Sequence, residues 1–401
     1  MDLGSQASGG APNSGGNVFV QIIPSLASAF GGPAVGSRLL NISLRERGYN
    51  AVLVSARYND PGGSKMSDGE QTEILSSTAC INLFPRARPF FLQNSWGILC
   101  FLLRNRHKIR VIHMHGMYLL PYIYGYAVAR IWNIPYGIQP HGSLEPYQRS
   151  KSRVKKAIYD LFIGRSILRN SRYFIFASAS EAEGAVEVVG RDRSSVAPLG
   201  VRLESPSASA QIRDKFPSID RDKAVLYLGR LARKKRPDRL LEAWARAQKP
   251  DGAHLFIVGP DGDFSAAELL ILAERLGVRS SVTFLGPLRG GERTWVYDRC
   301  GVYVLPSESE NFGITVAEAM YSGCFVITTN SVASGEHVAA SGGGLVVEQG
   351  TQALAEALTE ALYGADQRLR GQRASEYARQ HLAWSRMSGA LAAEWETVAK
   401  R

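Results

Sequence analysis

Residues 302–323 read VYVLPSESENFGITVAEAMYSG. Val302 to Leu305 form an apolar run rich in β-branched and aromatic residues, the pattern of a buried strand. A polar loop follows from Pro306 to Asn311, then a short helical segment from Ile314, which Gly323 ends. A continuous apolar strand that feeds a helix through a loop belongs to a parallel sheet covered on both faces.

The same strand-loop-helix unit recurs along the chain. In the second half AVLYLG, HLFIVG, VTFLG, CFVITTN and GGLVV read as further strands, with helices starting near Pro237, Ser265, Gly291 and Ile314. Pro237 suits the first position of a helix, and Gly259 and Gly286 fall where elements end. In the first half NVFVQIIPS, NAVLVSA, IRVIHMHG, PYGIQPHG and YFIFASAS read as strands, and residues 33–48, 90–107, 118–133 and 150–170 as helices. The expectation is an α/β protein of two doubly wound domains, 17–200 and 201–382, with the boundary in the polar stretch between Gly200 and Phe216. The last helices, from about Gln367, carry Tyr377, Trp384 and Trp395, and a C-terminal helix at about 383–401 is expected to pack back on the first domain. Residues 1–16, rich in Gly, Ser, Ala and Asn without a basic or an apolar region, read as a disordered tail rather than a signal peptide.

Composition narrows the class. A chain of 401 residues with 45% hydrophobic and 21% charged residues can bury a large core, which argues against disorder. Cys80, Cys100, Cys300 and Cys324 lie far apart with no C-x-x-C pair, so neither a zinc knuckle nor a disulfide framework is suggested, and a reducing cytosol fits. The most apolar stretch, Val111 to Ile138, is interrupted by His113, His115, Pro121, Arg130 and Pro135, against a membrane span. Lys and Arg outnumber Asp and Glu by 22 to 12 over residues 1–199 and by 25 to 24 over the rest. Such asymmetry fits a solvated basic surface or a face that meets a bilayer, a lipid diphosphate or nucleic acid. The segment from Tyr147 to Arg172 concentrates the charge: Arg149, Lys151, Arg153, Lys155, Lys156, Arg165, Arg169 and Arg172 are interspersed with Ile158, Leu161, Phe162 and Ile167. It reads either as a helix docked on anionic lipid or as one packed on its own sheet.

In open α/β sheets ligands bind beyond the carboxyl ends of the strands. In the opening stretch, helix-start amides lack internal partners and the helix dipole is positive there, so Phe312, Gly313, Ile314 and Thr315 can offer N–H groups to a diphosphate. Gly313 permits close backbone approach. Glu310 before the helix and Glu318 inside it can reach different parts of one extended ligand. They can equally be a helix-start anion and a solvated residue. Asp261 and Asp263 resemble a metal-binding D-x-D pair, but their turn-like VGPDGD setting favours a structural role.

The run E-N-F-G-I-T-V-A-E from Glu310 to Glu318 resembles the E-x7-E motif of retaining GT-B glycosyltransferases of family GT4. GRLARKKRPDRLLEAW, after AVLYL, is similar to that family's G-R-L-x-x-x-K-G-x-x-x-L-x-x-A pattern, with Arg230 and Lys235 on its cations and Arg236 in place of its glycine. That replacement leaves open whether Lys234 or Lys235 points inward. FGGPAVG with Gly31 and Gly32 looks like the family's N-terminal glycine loop, PHGSLEP brings His141, and APLGV resembles its segment before the linker, so the resemblance covers roughly 17–385.

The resemblance implies a GT-B fold, two Rossmann-like domains facing each other across a cleft, with transfer of a hexosyl residue from a UDP- or GDP-sugar with retention. Glu318 would hold the ribose. Arg230 and Lys235 would neutralise the diphosphate, Gly31 and Gly32 would approach it, and Glu310 and the neutral His141 would face the sugar. No cofactor or metal is implied beyond the nucleotide-sugar donor. The acceptor would be a glycan or lipid-diphosphate-linked oligosaccharide in cell-surface polysaccharide assembly, at the cytoplasmic membrane face. His113 and His115, two positions apart on one strand, are expected to send at most one ring towards the site, and both are left outside it. The rival readings are a nucleotide-sugar epimerase on the same fold, against which the E-x7-E and cation patterns speak, and a basic nucleic-acid-binding protein. The chain lacks the aromatic-basic strand signature of the latter.

Overall fold

The computed structural model describes residues 17–27, 30–60, 63–76, 79–145, 153–216 and 219–399. The chain divides into two compact units, one of residues up to Gly200 plus the segment from Trp384 onward, the other Val201–Ala383. The N-terminal tail expected at 1–16 lies outside the described residues.

The first unit is built on a parallel sheet. Its strands are β1 (Val18–Ile22), β2 (Ala51–Ala56), β3 (Ile81–Phe84), β4 (Ile109–His115), β5 (Tyr136–Gln139), β6 (Tyr173–Phe176) and β7 (Ser194–Val196), in the order β3-β2-β1-β4-β5-β6-β7. Every residue of β2, β5 and β6 is buried, as expected of strands covered on both faces. Helices Gly32–Glu46, Asp68–Leu75, Trp96–Asn105, Leu120–Ile131 and Ala179–Val189 lie in the crossovers.

The two strands that the sequence reading omits, β3 and β7, are the sheet's edges. They are short, and their half-buried INLF and SSV carry little apolar signal. The helices Asp68–Leu75 and Ala179–Val189, also unread, have few or no large apolar residues to mark a periodic face. The helix expected over 90–107 starts only at Trp96, because Gln93, with φ 51°, ends a short 3₁₀ turn in the left-handed region. The one expected over 150–170 is interrupted: helix Arg153–Tyr159 passes through a π-turn, Asp160–Gly164, into helix Arg165–Asn170. Its expected start, with Arg149 and Lys151, lies outside the described residues.

Helix Trp384–Ala399 completes this unit. Trp395 is fully buried, stacks on Phe19 of β1 with centroids 4.8 Å apart, and donates through Nε1 to the Tyr173 hydroxyl at 2.8 Å. Ser388 meets Ser43 at 2.9 Å and accepts from Arg47 Nε at 2.8 Å, tying the helix to Gly32–Glu46.

The second unit is a parallel sheet of β8 (Ala224–Leu228), β9 (His254–Val258), β10 (Val282–Gly286), β11 (Val302–Leu305), β12 (Phe325–Thr329) and β13 (Gly344–Val347), ordered β10-β9-β8-β11-β12-β13. Helix Pro237–Arg246 begins at its proline, and Ala266–Arg275 starts on a capping box between Ser265 and Glu268. In each sheet the strand order reverses once, between β1 and β4 and between β8 and β11. A doubly wound sheet opens for a ligand at that reversal, beyond the strands' carboxyl ends. Among the described residues, no helix is long and apolar enough to cross a membrane.

Candidate active site

The loops after β8 and β11 leave the second sheet side by side. After β8 the chain makes a 3₁₀ turn, Arg233–Lys235, and Arg236 follows in the left-handed region with φ 52°. This is where the family-like pattern has glycine. A side chain there costs on the order of 1–3 kcal/mol. Ion pairs of Arg236 with Asp238 at 2.8 Å and Glu308 at 2.5 Å oppose that cost. The turn also decides between the neighbouring lysines. Lys234 is exposed, whereas Lys235 Nζ donates to Glu310 Oε2 at 2.6 Å.

Glu310 and Lys235 are largely buried, their side chains 18% and 15% exposed. Burial pushes the Glu310 carboxyl up, but Lys235 and Lys234 together hold it below the ordinary range, so it is an anion at neutral pH. The backbone around it is fixed from β12's side: Glu310 N–H donates to Ser331 O at 3.1 Å, its carbonyl accepts from Ala333 N–H at 3.2 Å, and Phe312 O accepts from Ser334 N–H at 2.9 Å.

Gly313, with φ 83°, turns the chain into helix Ile314–Tyr321, which has no side-chain cap and no acidic residue in its first turn. Among the described residues the amides of Phe312, Gly313, Ile314 and Thr315 donate to no protein acceptor. Phe312 is buried against the His337 ring, with centroids 6.0 Å apart, and Thr315 Oγ1 accepts from the Tyr303 hydroxyl at 2.7 Å, so the helix start is held rigidly.

Glu318 is buried and engaged rather than solvated. Arg293, on helix Gly291–Arg299, forms an ion pair with Oε2, and the Tyr297 hydroxyl donates to the same oxygen at 3.0 Å. Both bonds fall on Oε2, leaving Oε1 for a ligand. Burial keeps this carboxyl above its ordinary range despite Arg293. Arg293 and Tyr297 were not readable as partners, since neither stands in a motif. Arg230 lies two residues beyond β8 and is exposed. The Asp261 and Asp263 carboxylates accept the backbone N–H groups of Ala266 and Arg233, each at 2.9 Å, the work of turn residues.

In the first unit, Gly31 follows β1 with φ 70° and precedes helix Gly32–Glu46. Among the described residues, a Cβ at Gly31 or Gly32 would meet nothing within 4 Å. His141 follows β5. The His113 and His115 rings occupy one face of β4, because residues two apart on a strand point the same way. Their centroids are 4.7 Å apart, and His115 Nδ1 lies 3.1 Å from His141 Nε2. Burial holds all three imidazoles neutral, His113 at about 3, His141 at about 4 and His115 well below its usual value.

Comparison with known proteins fits this arrangement. Residues 31–201 match the model of the glycosyl transferase 4-like domain, and residues 209–381 that of the glycosyl transferases group 1. Among curated relatives, the D-inositol 3-phosphate glycosyltransferase of Corynebacterium urealyticum is 35% identical over 45% of this chain and 41% of its own length. That of Corynebacterium glutamicum is 28% identical over 71% of each. The chain thus spans about two fifths of the former. Solved structures with the same fold include Anabaena HepE in complex with UDP and glucose (TM-score 0.73, 18% identity, 96% of this chain and 100% of that one). Another is the sucrose-phosphate synthase of Thermosynechococcus elongatus (TM-score 0.74, 22% identity, 95% and 99%). With both of its sheets wound as Rossmann-like units and the two models together matching most of its length, the chain belongs to the group 1 glycosyltransferases of family GT4, with the GT-B fold.

Proposed function

We propose that this chain transfers a hexosyl residue from a UDP- or GDP-sugar to a glycan or lipid-linked oligosaccharide, with retention and without a metal ion. The observation that carries the reading is the Lys235–Glu310 pair beside four unengaged amides at the β8/β11 reversal. Diphosphate oxygens suit those amides, Lys235 and Arg230, and Glu318 Oε1 suits the ribose hydroxyls. As the glycosidic bond breaks, negative charge grows on the diphosphate and positive charge at the anomeric carbon. Preplaced N–H groups and cations then stabilise the transition state more than the ground state. Glu310, on the same loop, orients the sugar and balances its cationic character. The departing phosphate takes the acceptor's proton.

The test is incubation of the purified chain with a panel of nucleotide sugars and acceptors, following product by NMR. The expected outcome is a glycoside with the donor's anomeric configuration, formed equally well in EDTA. An inverted product, or activity that EDTA abolishes and a divalent cation restores, contradicts the proposal. Conversion of the donor with no acceptor present would indicate the epimerase instead. The relatives named as D-inositol 3-phosphate glycosyltransferases favour a phosphorylated cyclitol as a second acceptor class, and the panel includes one.

The acceptor side of the proposal places the chain on an anionic membrane surface of the cytoplasm. Val154, Ile158, Leu161 and Phe162 recur at helical spacing and are 72%, 53%, 66% and 80% exposed, with Lys155, Arg165 and Arg169 exposed beside them. An apolar stripe flanked by cations suits an acyl–headgroup boundary. Sedimentation with phosphatidylserine vesicles is expected to bring down the wild type, weakly in high salt, and to leave Phe162→Glu in solution. Equal binding to neutral vesicles, or none, overturns this part.

A further inference from the structure

A chain of side chains runs inward from His141 that no part of the proposed reaction uses. His141 Nε2 meets His115 Nδ1 at 3.1 Å, His115 Nε2 meets Gln21 Oε1 at 2.9 Å, and Gln21 Nε2 donates to Asn41 Oδ1 at 2.7 Å. Gln21, Asn41 and His115 are buried to 3% exposure or less. Each polar contact there has to match donor to acceptor, because an unmatched buried pair is costly.

With Gln21 Nε2 donating to Asn41 Oδ1, the direction of the contacts sets the protons along the chain from Gln21 to His141. Gln21 uses its amide N–H on Asn41, so the oxygen facing His115 can only accept. His115 must therefore carry its single proton on Nε2, which leaves Nδ1 as a lone pair. The group opposite that lone pair, His141 Nε2, must then be the donor. Burial keeps both rings neutral, so His141 has no second proton, and its Nδ1 is an acceptor.

The backbone under His141 is pinned with similar economy. His141 adopts φ 51° and Gly142 φ 78°. The buried Glu181 carboxylate accepts the Gly142 N–H at 2.6 Å and the Ala177 N–H at 2.8 Å, joining the loop after β5 to the one after β6. The His113 ring meets His115 edge to face, at 85°, and closes its other side.

We propose that His115, set by Gln21 and Asn41, is a positioning residue that locks His141 in its Nε2-protonated tautomer, so that Nδ1 accepts from a substrate hydroxyl. Gln21, His115 and Glu181 act through His141 and touch no substrate themselves. The inference rests on the proposed transfer reaction only for the identity of that hydroxyl.

The experiment is long-range ¹H–¹⁵N correlation on the full chain with ¹⁵N-labelled histidine, without substrate. The wild type is expected to show His141 as a single Nε2–H tautomer at pH 7. Gln21→Leu is expected to give averaged Nδ1 and Nε2 shifts for His141 and a fall in kcat of about 10- to 100-fold, with the donor KM little changed. A wild-type His141 protonated on Nδ1 overturns the proposal, whether or not Gln21→Leu folds. So does a folded Gln21→Leu protein with unchanged tautomer and unchanged kcat. A correct tautomer in a chain that transfers no sugar would sink the proposed function and leave the relay standing.

Discussion

Glu310 and Lys235 form a largely buried ion pair, 2.6 Å apart. What distinguishes this one is its place among unengaged amides. Glu310→Gln and Lys235→Ala should each lower kcat/KM by about 10²–10³, the typical cost of removing one transition-state contact, with folding intact. Steady-state kinetics with circular dichroism checks both. Arg236 offers a second residue-scale test. Arg236→Gly relieves left-handed strain while losing two ion pairs and should change stability by less than about 1 kcal/mol, whereas Arg236→Ala keeps the strain, loses the pairs and should cost about 1–3 kcal/mol; denaturant titration separates them. The buried histidines give a pH prediction. Their folded pKa values lie below the ordinary 6.5, to about 4 for His141 and about 3 for His113. Stability is therefore fully present above about 6.5 and is lost as pH falls towards those values, because the unfolded chain takes up protons that the folded one refuses. Melting temperature should fall from pH 6.5 to 4.5, less steeply in a folded His113→Gln variant; identical slopes would contradict the assignment. At this scale the sequence shows which residue types stand after which strands, and so marks Glu310, Lys235 and His141. It does not show Arg293 beside Glu318 or His115 beside His141, because those partners come from other elements and only the folded sheet brings them near.

At the scale of elements, the helix Ile314–Tyr321 depends on one backbone angle. Gly313 has φ 83°, and a Cβ there would come within 2.9 Å of Val332 Cγ1 and 3.0 Å of Ser334 Oγ. Gly313→Ala should therefore cost about 1–2 kcal/mol of stability and raise the donor KM, since the amides at the helix start move with that residue. Thermal melting and donor titration read the two effects. The strands flanking this helix were legible because they are long apolar runs in the middle of a sheet. Edge strands β3 and β7 were not, since an edge needs apolar residues on fewer positions and its SSV or INLF is too short to show a period. The π-turn at Asp160–Gly164 was hidden for a different reason: nothing in the apolar spacing of that segment distinguishes a π-turn from a continuous helix.

For the whole molecule, the two sheets have the same winding, and the Gly31 loop after β1 and the loops after β8 and β11 emerge at the reversals, while the His141 loop follows the next strand, β5. That regularity made the fold class readable from the alternation of strands and helices alone. The C-terminal helix ties the last part of the chain to the first unit through Trp395, which is fully buried between Phe19, Tyr49 and Tyr173. Trp395→Ala should cost about 3–5 kcal/mol, and hydrogen exchange should show the loss in β1 and helix Gly32–Glu46 while β8 to β13 keep their protection.

The central claim is that the loops after β8 and β11 hold a nucleotide diphosphate. Saturation-transfer NMR of the wild type and of Lys235→Ala against a panel of UDP- and GDP-sugars tests it most directly, because it needs no acceptor. At least one nucleotide sugar is expected to bind the wild type, and its signal to collapse in folded Lys235→Ala. Undiminished binding in that variant, or binding of none of the panel by the wild type, would contradict it.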